Sequence, residues 1–211
     1  MQQLIENIKS IPQEVQLTIN NRLAEFSSFS QKPSADWFSE LCFCILTANS
    51  RAKTALALEK TLQYKGFATL PEQELVKQII SHKHRFHNVK AARIVEARTY
   101  LNIKSIIQNL VKEKGEFAAR EWLAENIKGL GYKEASHFMR NTGHNSLAIL
   151  DRHILNLMHH HNMISEIPKP LTKNKYLDIE LKFQELSKKL NLSPAHLDLA
   201  MWYLKTGEVL K

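Results

Sequence analysis

Between two stretches of helical apolar spacing, Glu116 to Ile127 and Tyr132 to Arg140, the chain has only Lys128-Gly-Leu-Gly131 in which to turn. Two glycines flanking Leu130 let the backbone turn tightly, because glycine tolerates positive φ and carries no Cβ. Gly129, Leu130 and Gly131 therefore offer backbone amides with nothing bulky between them and an anionic partner. After the turn, Ala135, Phe138 and Met139 recur at helical spacing and Thr142-Gly143 supplies a C-cap. The pattern predicts a helix with Lys133 in its first turn.

That placement runs against helix electrostatics. A helix N-terminus carries partial positive charge and disfavours a cation, so an acid is its ordinary occupant. A partly desolvated amine held there is pressed towards the neutral form that attacks carbon. Asp151, within Leu150-Asp-Arg-His153, precedes a second helical run that has Ile154, Leu155 and Met158 on one side. It is placed to cap that helix while presenting a carboxylate to the same space. Two helix starts thus supply a nucleophile and an acid–base partner, Lys133 and Asp151.

Only six glycines and few sustained two-residue alternations elsewhere predict an all-α protein. Ser34 or Asp36 starts a largely buried helix carrying Trp37, Phe38, Leu41, Cys42, Ile45 and Leu46. It stops near Asn49-Ser50-Arg51, a polar break suited to a ligand-facing loop. Amphipathic helices follow over Glu72 to Ile80, Lys90 to Leu101, Ser105 to Val111 and Glu116 to Ile127, and the cations Lys90 and Arg93 are expected on a solvated helix end. Pro168 to Lys175 is expected as a linker, with Ser193-Pro194 opening a last helix that runs to about Lys205.

Charge narrows the partner. With 29 Lys+Arg against 21 Asp+Glu, the net charge of +8 suits a polyanion. No apolar run is long enough to span a membrane, and the opening residues lack the order of a signal peptide, so a soluble, intracellular protein is expected. Cys42 and Cys44 are the only cysteines, and two residues apart on a helix they diverge by about 200°, so they neither bridge nor share a metal. A reducing compartment and no iron–sulfur cluster follow. The histidines at 82, 84 and 87 and the run His159-His160-His161 make no convincing zinc site, so no metal is expected.

Ile127 to Asn141 followed by Leu150 to Ile154 resembles the helix-hairpin-helix plus Asp signature of DNA glycosylases, and the lysine marks the bifunctional branch. Within that superfamily the chain looks like the second, compact family of 8-oxoguanine DNA glycosylase/AP lyases, with Leu41 to Asn49 and the ending Trp202 to Lys211 as further points of likeness. The resemblance implies two helical lobes with a DNA-binding cleft between them and a single catalytic unit over residues 1–211. The approximate lobes are a central one over 35–125, the hairpin and Asp segment over 126–163, and the terminal helices, 1–34 with 164–211, packed together.

It also implies that Lys133 attacks the deoxyribose C1′ while Asp151 assists, and that Trp202 and Lys211 recognise the damaged base, Lys211 through its carboxylate or its amine. Gly129, Leu130, Gly131 and Asn49 are expected to contact DNA. The partner is double-stranded DNA containing 8-oxoguanine, no cofactor is needed, and a monomer associated with the nucleoid is the default. Two alternatives remain: a glycosylase for oxidised pyrimidines resembling endonuclease III but lacking its cluster, and a noncatalytic protein that uses the hairpin only to grip phosphates.

Overall fold

The computed structural model describes residues 1–50 and 52–211, so Arg51 of the expected loop lies outside the described residues. Helices dominate, in the order α1 (Gln2–Lys9), α2 (Gln13–Ser28), α3 (Ser34–Thr47), α4 (Ala52–Thr69), α5 (Glu72–Ser81) and α6 (His87–Ala97). They continue with α7 (Ile103–Lys114), α8 (Glu116–Asn126), α9 (Tyr132–Asn141), α10 (Arg152–His160), α11 (Lys173–Leu190) and α12 (Pro194–Thr206). No strand occurs among the described residues, and the protein is all-α.

The chain forms two compact units, 31–138 and 1–30 with 139–211, so the expected segment 126–163 is divided between them. In the first unit α3 is the central element, packing on α4, α6 and α7. Its residues Trp37, Phe38 and Leu41 to Leu46 are fully buried. A helix apolar all round is a core helix, which accounts for its lack of a polar face. Burial also pushes the Cys42 thiol well above its ordinary range.

The last carbonyls of α3 have no intrahelical donors. Side chains from α6 and the turn before it serve them. Lys90 Nζ donates to Ile45 O, His84 Nε2 meets Leu46 O at 2.8 Å, and Arg85 reaches on to Asn49 O at 3.1 Å. Lys90 is 2% exposed, which corrects its expected place on a solvated helix end. Its spacing with the buried Ile94 and Ala97, at steps of four and three, puts it on the apolar face of α6.

In the second unit α12 is central, packing on α1, α2, α10 and α11. Arg140, near the end of α9, pairs with buried Asp198 of α12 and stacks 4.9 Å from the Phe26 ring of α2. The α9 helix stops at a left-handed Gly143 (φ +100°), where an added Cβ would meet the Phe26 carbonyl at 3.0 Å. Helix α11 already begins at Lys173, inside the stretch expected as a linker. Proline bars a helix only up to Pro170, and Lys173 to Lys175 are free to join the first turn.

Candidate active site

The hairpin joining α8 to α9 is stabilised by a bond from Leu130 N–H to Ile127 O at 3.1 Å, with the Leu130 side chain buried. Gly129 has φ +99°, and a Cβ there would stand 2.6 Å from Arg93 Cδ, so the Arg93 stem lies against bare backbone. Lys128 Nζ binds Glu96 Oε1 at 2.7 Å, tying the turn to α6 a second time. The α9 helix then starts at Tyr132, whose ring lies 4.8 Å from the Arg120 guanidinium of α8. Lys133 is thus in the first turn, as its spacing predicts.

The Lys133 side chain is 25% exposed, with Nζ 3.5 Å from Glu134 Oε1. Glu134 Oε2 accepts a 3.3 Å bond from the Gly131 N–H. This is half of a capping box, a residue at the third helical position reaching back to the backbone of the cap. Glu134 is not among the residues expected at the site, although an acid three positions beyond the hairpin glycine is plain in the sequence. One consequence is that the Gly131 amide already holds a carboxylate. Another is that the amine faces a counter-charge as well as the helix dipole. Lys90 belongs to the same neighbourhood: burial lowers it from 10.5 to about 8, helped by Arg93 and Lys133 and opposed by Glu134.

Asp151 belongs to the other unit and is the N-cap of α10. Its Oδ1 accepts from His153 N–H at 2.8 Å and Ile154 N–H at 2.9 Å, so both capping bonds use one oxygen and leave Oδ2 outside the cap. The segment before it, Leu147 to Leu150, is buried. Its polar groups are met by α11. Tyr176 Oη donates to Ala148 O at 2.7 Å and accepts from Leu150 N–H at 3.3 Å, while Glu180 Oε1 accepts from Ala148 N–H at 3.0 Å. These contacts fix where Asp151 emerges, and nothing in the local sequence pattern pointed to them.

Trp202 of α12 is brought to the Asp151 helix: its ring meets that of His153 edge-on at 5.0 Å. Its Nε1 is buried and finds no acceptor. Leu197 and Met201 beside it are fully buried. Lys211 follows the coil after α12 and is partly buried. Asn49 is exposed with φ +58°, its carbonyl held by Arg85. The residue after Arg85 is Phe86: its ring lies 5.7 Å from the Arg85 guanidinium and is 53% exposed.

The histidines serve local structure. His82 bonds Thr61 and Gln78, His159 bonds Ile164 O, and the rings of His160 and His161 pack edge-on. Among the described residues no three His, Cys, Asp or Glu are grouped to hold a metal ion, and no helix is long and apolar enough to cross a membrane.

An all-α frame with a glycine hairpin, a lysine in the first turn of one helix and an aspartate capping another has close counterparts among known proteins. The sequence profile of a family described as 8-oxoguanine DNA glycosylase matches residues 19–192. The chain belongs to that family. It is 47% identical over 207 residues to the 8-oxoguanine DNA glycosylase/AP lyase of Methanocaldococcus jannaschii, covering 98% of this chain and 97% of that protein. It is 40% identical over 210 residues to that of Thermotoga petrophila, covering 99% of each. The crystal structure of the Methanocaldococcus jannaschii glycosylase/lyase in complex with a 15mer DNA containing 8-oxoguanine superposes with a TM-score of 0.95 at 45% identity, over 99% of this chain and all of that one. The Thermotoga maritima 8-oxoguanine DNA glycosylase gives 0.93 at 38%, over 100% and 99%.

Proposed function

We infer that this protein excises 8-oxoguanine from double-stranded DNA and nicks the resulting abasic site, with Lys133 as nucleophile. The observation that carries the reading is the Lys133 amine, partly buried in the first turn of the helix after a glycine hairpin. Full-length similarity to enzymes named as glycosylase and AP lyase supports both activities. The excess of basic residues supports a salt-sensitive grip on the phosphate backbone.

Hairpin backbone around Gly129 to Gly131 and the exposed Asn49 contact the DNA while the damaged nucleotide leaves the stack. The neutral Lys133 amine displaces the base at C1′ and becomes a Schiff base, with Asp151 stabilising the positive charge that develops on the sugar. Loss of a C2′ proton and β-elimination then cut the strand on the 3′ side. Trp202 and Lys211 recognise the base. The indole N–H of Trp202, buried without an acceptor, suits a polar contact to it as well as stacking. A protein with this substrate works at the nucleoid, as a monomer of a single catalytic unit.

Borohydride trapping tests the reading. Wild-type protein incubated with an 8-oxoguanine duplex and reductant should give a covalent complex that Lys133→Gln loses. The same assay on a thymine glycol duplex should give little. Equal or preferential trapping on thymine glycol would move the assignment to oxidised pyrimidines, and no adduct on either would leave only DNA binding.

A further inference from the structure

Successive residues on a helix point about 100° apart, so Lys133 and Glu134 have no geometric reason to meet. They meet because Glu134 folds back towards the hairpin. One carboxylate oxygen, Oε2, is anchored by the Gly131 N–H at 3.3 Å, which turns the other, Oε1, to within 3.5 Å of the Lys133 amine. Both side chains are largely withdrawn from water, at 25% and 15% exposed. The charged groups sharing this corner are Lys90 and Arg93 of α6. A cap needs only an acceptor at the anchored oxygen. It leaves unexplained a second oxygen aimed at the nitrogen that the proposed reaction uses.

We propose that Glu134 is the proton acceptor for Lys133 during Schiff-base formation, taking a proton from the sugar-bound nitrogen and passing it to the sugar ring oxygen. The proposal rests on Lys133 being the nucleophile. When the neutral amine bonds to C1′, the bond to the base breaks and its electron pair leaves with the base. The attached nitrogen is then a secondary ammonium with two hydrogens. One proton moves to the Glu134 carboxylate, and the pair left on nitrogen forms the C1′=N bond as C1′–O4′ breaks with its electrons on O4′. The proton goes on from Glu134 to O4′, which restores the carboxylate and leaves an iminium with one hydrogen. No co-reactant is consumed.

Glu134→Gln separates this role from capping, because the Gln amide oxygen still accepts from Gly131 but has no basicity. Borohydride-trapped adduct is followed in single turnovers, on both an 8-oxoguanine duplex and a preformed abasic site, from acid to alkaline pH. Adduct formation by E134Q should fall about 100-fold or more on both substrates, the usual worth of a positioned base. Its duplex affinity and melting temperature should stay at wild-type values, and its rate should depend more steeply on pH. Glu134→Ala should be accelerated by added formate, an external carboxylate. E134Q reacting at the wild-type rate with the wild-type pH profile overturns the proposal, as does an E134A rate that formate leaves unchanged. A wild-type protein that gives no adduct overturns the lysine reading as well, and so is told apart from failure of the Glu134 role alone.

Discussion

Asp151 caps a helix, and the proposed mechanism gives the same side chain a second duty. Its Oδ1 starts α10 through two backbone bonds, while the proposed chemistry draws on the carboxylate charge. Asparagine is as good an N-cap as aspartate, whereas alanine loses about 1 kcal/mol. Asp151→Asn should therefore unfold in urea within a few tenths of a kcal/mol of wild type while its single-turnover excision collapses. Asp151→Ala should lose both. An Asn variant destabilised as much as the Ala variant would mean that the charge itself holds the fold. Lys133 and Asp151 were legible from sequence because local rules, a glycine turn and a helix cap, dictate where they stand. Glu134 was not, since its importance lies in a side chain folding back against the direction that helical geometry gives it.

At the scale of elements, the hairpin depends on a backbone that a side chain cannot follow. Gly129 combines φ +99° with the Arg93 stem 2.6 Å from where a Cβ would stand. Gly129→Ala should cost about 1–3 kcal/mol from the backbone conformation alone and should displace Arg93. Duplex affinity should drop with it, as measured by fluorescence anisotropy. A variant as stable as wild type would show that the turn relaxes freely. Helix existence was legible almost throughout, because apolar residues recur at helical spacing. The role of α6 was not. Lys90 and Arg93 were expected on a solvated end, yet Lys90 caps α3 from inside the core and Arg93 lines the hairpin. A charged residue within an apolar stripe is read as exposed by composition and as buried by spacing, and here spacing was the better guide. The contacts that Tyr176 and Glu180 make with residues 148–150 span 26 to 32 positions of chain, beyond the reach of any local pattern.

For the whole molecule, Lys90 makes stability depend on alkaline pH. Its folded value of about 8 lies below its ordinary 10.5, so between the two the unfolded chain holds more protons than the folded one. Stability then rises with pH through that window, and the contribution is lost as pH falls through about 8. Lys90→Met should remove this rise, which is checked by comparing urea midpoints of wild type and variant from neutral to alkaline pH. Parallel curves would show that Lys90 titrates alike in both states. The α11 anchors carry a different consequence. Ala148 and Leu150 have their backbone groups met by a helix that begins more than twenty residues later in the chain. A nascent polypeptide that has just completed α10 already contains both Lys133 and Asp151, but it lacks the partners that fix the aspartate. In a growing chain the aspartate is therefore fixed in place only once α11 has emerged, and the chemistry proposed for it waits on that helix.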